Sequence, residues 1–184
     1  MGQKMKIVGI LGKQQSGKTS AADYLLQRNP EALILGFSHS LKELYSLVFC
    51  QGGFSAEDFD SQKLKETMHI YGKTHRQMLI EFGIKMREID PEIWVREWRQ
   101  QISHHAKRLI IVPDIRFPNE IKAIQNLGGI CLRLIRNPLL ITDVCDIAAD
   151  GASFDLNIDN TQLDMDQTNQ LVERTVNAYF YKDK

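Results

Sequence analysis

The sequence predicts an α/β fold of three layers, a mostly parallel sheet with helices on both faces. Short apolar runs without polar alternation, Lys6–Leu11 and Leu109–Val112 among them, recur between longer segments of helical periodicity. The first of these runs ends in a glycine-rich turn that leads straight into a helical pattern, which is how a buried parallel strand hands over to its crossover helix. The chain's 184 residues suit one domain with a sizeable core.

In chain order, Lys6–Leu11 (KIVGIL) reads as a buried strand, and Thr19–Arg28 as a helix stopped by Asn29-Pro30. Leu33–Phe37 reads as a second strand. Ser40 is the expected cap of a helix with Leu41, Leu44, Tyr45 and Val48 on one face. Gln51–Asp60 reads as a loop, and Thr74–Ile89 and Pro91–Lys107 as two helices, with Asp90 capping the second. Leu109–Val112 is the most strand-like run. A helix over Pro118–Leu127 is closed by Gly128-Gly129, and Ile130–Ile135 is a further strand. Asn137–Ser153 has no clear periodicity. Phe154–Ile158 and Met165–Tyr181 read as the last strand and helix.

Composition narrows the function. Lys plus Arg and Asp plus Glu both number 23, so no global basic field draws the chain to nucleic acid or to an anionic membrane. No apolar run is long enough for a membrane span, and the N-terminus lacks the pattern of a signal peptide. Cys50, Cys131 and Cys145 are too few and too scattered for a disulfide framework or a zinc motif, and a cytoplasmic location is expected. The balance is uneven along the chain: Lys63–Arg136 holds 14 basic against eight acidic residues, so anion-binding groups are sought there.

The strongest signal is Gly12-Lys-Gln14-Gln15-Ser16-Gly17-Lys18-Thr19, a full G-x-x-x-x-G-K-[ST] match between a strand and a helix. A polyphosphate is wrapped by main-chain N–H groups, and glycines at both ends allow the close approach that this needs. With Ser20, these residues form the expected ATP-binding loop of a P-loop NTPase fold. Lys18 is placed to reach the β and γ phosphates, and Thr19 to ligate Mg²⁺. Leu109-Ile-Ile-Val-Pro-Asp114 puts a carboxylate just past an apolar strand, where it can meet the same metal; a turn or helix-cap aspartate is the alternative. A second anion site calls for Arg and Lys, and Lys42, Arg76, Arg87 and Arg116 fall in segments expected at the sheet's C-terminal edge.

Phe37-Ser38-His-Ser-Leu-Lys42, Thr74-His-Arg76, Gly83…Arg87, Asp90-Pro-Glu-Ile-Trp94 and above all Asp114-Ile-Arg116-Phe117-Pro-Asn-Glu120 resemble the phage-type deoxynucleoside monophosphate kinases, as does Phe154…Asn160. The resemblance implies a P-loop kinase that uses ATP and Mg²⁺ to phosphorylate a deoxynucleoside 5′-monophosphate. It implies one domain over residues 1–184, with an acceptor-binding insertion at about 38–107 and a lid-like segment at about 136–153. Lys18, Asp114, Arg116 and Arg76 would be catalytic. Ser38, Lys42, Arg76, Arg87, Trp94, Arg116, Phe117 and Glu120 would bind the acceptor. No Lys or Arg lies between Arg136 and Phe154, so a lid-borne cation on ATP would be Arg133 or Arg136, with Arg136 the choice. A small-molecule partner follows, without nucleic acid or membrane, and a homodimer is compatible. The phosphate loop, the Ser38–Lys42 element and the Asp-Pro run also resemble animal-type phosphomevalonate kinases, which gives a second acceptor class. A P-loop ATPase module without a small acceptor is the third reading.

The remaining residues have blander readings. His69, His104 and His105 are expected as solvated helix histidines, Cys131 as core, and Trp94 with Trp98 as one packed face, with an aromatic wall for the base as the rival. Phe117 is either a core anchor or a base-stacking residue.

Overall fold

The computed structural model describes residues 5–13, 15–69, 71–105, 108–136 and 153–181. The chain divides into two compact units, Phe37–Gln101 and the flanking chain up to Gly36 and from Ile102 onward.

The flanking unit is built on five parallel strands: β1 (Lys6–Leu11), β2 (Leu33–Ile34), β3 (Leu109–Val112), β4 (Ile130–Ile135) and β5 (Leu156–Asp159), in spatial order β2-β3-β1-β4-β5. Helix α1 (Lys18–Arg28) and the C-terminal helix, here α7 (Met165–Phe180), pack on one face. Val8, Ile10, Ile111, Leu132, Leu134, Ala21, Leu25, Val172 and Val176 close that core. The opposite face carries α6 (Pro118–Asn126). A Cβ on Gly9 would lie 2.3 Å from Ile115 Cδ1 and 2.8 Å from Ile124 Cδ1, so the bare glycine lets this layer close on β1. Parallel strands buried on both sides need continuous apolar runs rather than alternation, which is why β1, β3 and β4 were legible.

The Phe37–Gln101 unit holds α2 (His39–Phe49), a 3₁₀ turn (Glu57–Asp60), α3 (Gln62–Lys65), α4 (His75–Ile89) and most of α5 (Ile93–Ser103). Thr74 and Gln77 form a reciprocal capping box that starts α4. The core here is aromatic: Tyr45, Phe59, Met78 and Leu79, backed by Leu41, Phe49, Leu64 and Phe82.

Several boundaries differ from expectation. Ser38, not Ser40, takes the N-cap position of α2, with its carbonyl accepting from Lys42 N; Ser40 lies in the first turn and its hydroxyl accepts from Gln101 Nε2 at 2.8 Å. The second strand is shorter than read, though Leu35 N still reaches Ile111 O. Helix α5 begins at Ile93, after a turn in which Asp90 Oδ1 accepts from Glu92 N at 3.0 Å in the manner of a cap. The expected loop at Gln51–Asp60 ends in the 3₁₀ turn, and α3 follows behind a Ser61 cap. No helix among the described residues is long and apolar enough to cross a membrane.

Candidate active site

The phosphate loop leaves β1 at Gly12 and enters α1 at Lys18. Gly12 has φ +150°, and a Cβ there would lie 2.6 Å from the Leu134 carbonyl, so β4 leaves room only for glycine. Gly17, at φ +99°, turns the chain into the helix in a conformation costly to side-chain-bearing residues. Ser16 N bonds Lys13 O at 3.2 Å, and the Lys18 ammonium donates to the Gly12 and Lys13 carbonyls. Thr19 is exposed in the first turn of α1, and Ser20 exchanges hydrogen bonds with Asn169 of α7. Gln15 is exposed at φ 63°, Ser16 is buried, and Gln14 lies outside the described residues.

Strands β1 and β3 are neighbours in register Lys6↔Leu109 to Gly9↔Val112. Asp114, two residues past β3, and Thr19, just past the loop after β1, therefore issue from the same sheet edge. Asp114 lies against Gly36: a Cβ on that glycine would be 2.3 Å from Asp114 Oδ2 and 2.4 Å from Oδ1. Beyond it the chain is held by Glu120, 1% exposed, whose Oε2 accepts from Arg116 N at 2.7 Å and Phe117 N at 3.1 Å. Glu120 thus shapes the backbone that presents Arg116, at the start of α6. Arg136 donates from Nη2 to Leu163 O at 3.0 Å, and its Nε is buried without a partner. Apart from Arg136 and Ser153, the lid-like segment lies outside the described residues, as does Cys145.

The other residues expected to bind the acceptor belong to the Phe37–Gln101 unit. Lys42 Nζ bonds Asp60 at 2.5 Å, and Arg76 bonds Glu66 at 2.6 Å through Nε and Gln62 through Nη2. Arg87 reaches Pro91 O at 3.5 Å. Asp60, Gln62 and Glu66 are partners that the sequence did not single out, because they lie 10 to 18 positions from the cations they bond. Trp94 is 1% exposed, with Nε1 donating to Gly83 O, and Trp98 packs on Phe37 at 4.5 Å. The packed-face reading of the two tryptophans describes their surroundings. A cleft of about 530 Å³ is lined by Phe49, Tyr71, Lys73, Met78, Glu81, Phe82 and Lys85. Its α4 residues lie on the opposite side of that helix from Arg76 and Arg87.

His69 is no solvated helix histidine. Its Nε2 lies 3.0 Å from Phe49 O, its Nδ1 is buried without a partner, and its ring meets His75 at 5.2 Å. His75 bonds the Tyr45 hydroxyl at 2.7 Å. Burial, and then His69, lowers the His75 imidazole below its usual range. Burial, then Asp155, pushes the Cys131 thiol up to about 12, as befits a core cysteine.

The profile of the phosphomevalonate kinase family matches residues 10–129, about two thirds of the chain, from the phosphate loop through α6. The chain belongs to the phosphomevalonate kinase family. Within this kinase family setting it is also 27% identical over 147 residues to a protein of Acanthamoeba polyphaga mimivirus named "Putative deoxynucleotide monophosphate kinase", a span of 72% of this chain and 75% of that one. Among solved structures, the tunicamycin resistance protein of Deinococcus radiodurans superposes with a TM-score of 0.51 at 18% identity, over 94% of this chain and 95% of that one. An APS kinase of Mycobacterium tuberculosis matches with a TM-score of 0.49 at 16% identity, over 94% and 97%. The fold is the P-loop NTPase α/β fold, and the chain is a P-loop kinase.

Proposed function

We propose that this kinase transfers the γ-phosphate of ATP to a deoxynucleoside 5′-monophosphate. The observation that carries the reading is the mimivirus relative, similar over 147 residues, taken with the Asp114-Ile-Arg-Phe-Pro-Asn-Glu120 stretch. The residues fit ATP and Mg²⁺: a loop bounded by glycines that leads into a helix, a lysine at that helix N-terminus, and a hydroxyl and a carboxylate from one sheet edge. Gly12–Thr19 and Ser20 would hold the nucleotide, and Thr19 and Asp114 the metal. Bound Mg²⁺ would neutralise charge on the transferring phosphate. Lys18 supplies a fixed positive charge to the loop. Glu120 holds the Arg116 backbone so that its guanidinium is offered to the acceptor phosphate, a group it can grip bidentately. Lys42, Arg76 and Arg87 would complete the acceptor side. Positioning and charge supply most of the acceleration in such transfers.

The family match favours phosphomevalonate as the second acceptor. One assay separates the two: ADP release from Mg-ATP with each of the four deoxynucleoside monophosphates and with phosphomevalonate. Stimulation by a deoxynucleotide is expected. Stimulation by phosphomevalonate alone would move the assignment, and turnover indifferent to every acceptor would leave a P-loop ATPase.

A further inference from the structure

The phosphate loop is fastened from its far side by one buried amide. Asn160, fully buried just past β5, donates from Nδ2 to Ser16 O at 2.9 Å and to Thr168 Oγ1 at 3.4 Å. The Thr168 hydroxyl gives its own proton to Asp164 O at 2.8 Å, so it meets Asn160 as an acceptor. Both amide protons of Asn160 are therefore committed, and its orientation is fixed by its neighbours. Its backbone is pinned as well: Asn160 N donates to Ile135 O at 3.0 Å, and its carbonyl accepts from Leu163 N at 3.3 Å.

The Ser16–Gly17 peptide is trans, so its carbonyl and N–H point in opposite directions. Holding Ser16 O toward Asn160 turns the Gly17 N–H away from Asn160. Such control is needed here because glycine crosses between backbone regions more easily than other residues, so a peptide preceding it is free to turn over. We infer that Asn160 is a positioning residue for polyphosphate binding, which locks the Ser16–Gly17 peptide so that the Gly17 N–H stays a donor on the ligand side of the loop. This rests on the reading of the loop as a phosphate site.

The test compares two substitutions in one buried network. Asn160→Asp keeps the shape but faces Ser16 O with an acceptor, and the introduced carboxylate rewards a turned-over peptide whose N–H points at it. Thr168→Val removes the other partner of the same amide and leaves the Ser16 bond in place. Affinities for Mg-ATP and for inorganic tripolyphosphate would be read by calorimetry, with Tm for each variant. The expected result is a loss of at least about tenfold for both ligands in Asn160→Asp and less than about threefold in Thr168→Val, whatever their Tm values. Should Asn160→Asp fail to fold, Asn160→Ala carries the comparison, with the same ordering expected. Unchanged affinity in the Asn160 variant, or equal losses that track Tm, would overturn the assignment. Wild-type protein that binds neither ligand would overturn the phosphate-site reading itself, and this assignment with it.

Discussion

Gly36→Ala is a perturbation aimed at Asp114 without touching it. The added methyl would stand 2.3–2.4 Å from all three atoms of the Asp114 carboxyl group. Ordinary contact begins near 3.4 Å, so the carboxylate must retreat by about 1 Å. Gly36 is outside the left-handed region, so the substitution brings no backbone strain of its own. The group in the way is the end of a side chain, which can swing aside, and the stability cost should stay near 1 kcal/mol, the low end for overpacking. Catalysis tolerates less: a displacement of about 1 Å of a group that positions the reaction costs on the order of 10²-fold. The assay is acceptor-stimulated ADP release across a Mg²⁺ titration, with thermal unfolding alongside. Expected are a kcat lowered about 10²-fold, a raised Mg²⁺ requirement and a nearly unchanged Tm. In an Asp114→Asn background the same substitution should add little, since the group it displaces no longer acts. A Gly36→Ala enzyme with kcat within about threefold of wild type and the same Mg²⁺ dependence would refute the placing of Asp114 at the metal.

Lys18→Ala should lower phosphotransfer by about 10²- to 10³-fold while circular dichroism stays native, since the charge proposed to bind the phosphates is lost and the core is untouched. Arg116→Ala should raise the acceptor KM by about tenfold or more and leave Mg-ATP affinity unaltered in direct binding, as expected for one charge-assisted contact to the acceptor. His75 gives a pH dependence. Its folded pKa lies below the ordinary value of about 6.5, so on acidification the unfolded chain takes up the proton first. Its stability contribution is complete above about pH 6.5 and is lost as pH falls from there through the folded value. His69, Tyr45 and the nearby Cys50 are the titratable groups that face this cluster. Tm measured from pH 7.5 to 5.5 should fall for wild type and fall less for His75→Gln; parallel curves would show that His75 carries no such linkage.

The parts of this molecule written in local pattern were legible. β1, β3 and β4 announce themselves because a strand buried on both faces is an unbroken apolar run, and the phosphate loop because its glycines sit at fixed spacing. The start of α4 was read within one residue, at Thr74. What escaped depends on partners far along the chain. Asn160 was noticed only as part of a resembling stretch, because the carbonyl it holds lies 144 positions away. Gly36 fell inside the expected strand Leu33–Phe37, and its meaning appears only when Asp114 is seen against it. The cations at Lys42 and Arg76 could be picked by type, but not the acidic residues that accompany them. Ser40 was read as the cap of α2, whereas its hydroxyl is taken by Gln101, 61 positions away.

The fastening of the phosphate loop also bears on how the protein comes to life on the ribosome. Among the described residues, three ties join the stretch from the phosphate loop through α1 to the stretch from Asn160 through α7: Ser16 to Asn160, Ser20 to Asn169 and Arg28 to Glu173, each spanning more than 140 positions. At about 5–20 residues per second, the loop emerges some 7–30 seconds before its anchor does. Throughout that interval the nascent chain has the glycines and the lysine, but nothing to fix the Ser16–Gly17 peptide. Nucleotide binding competence is thus a late event of synthesis, tied to the docking of α7, and a nascent chain stalled before Asn160 would hold a phosphate loop with no grip.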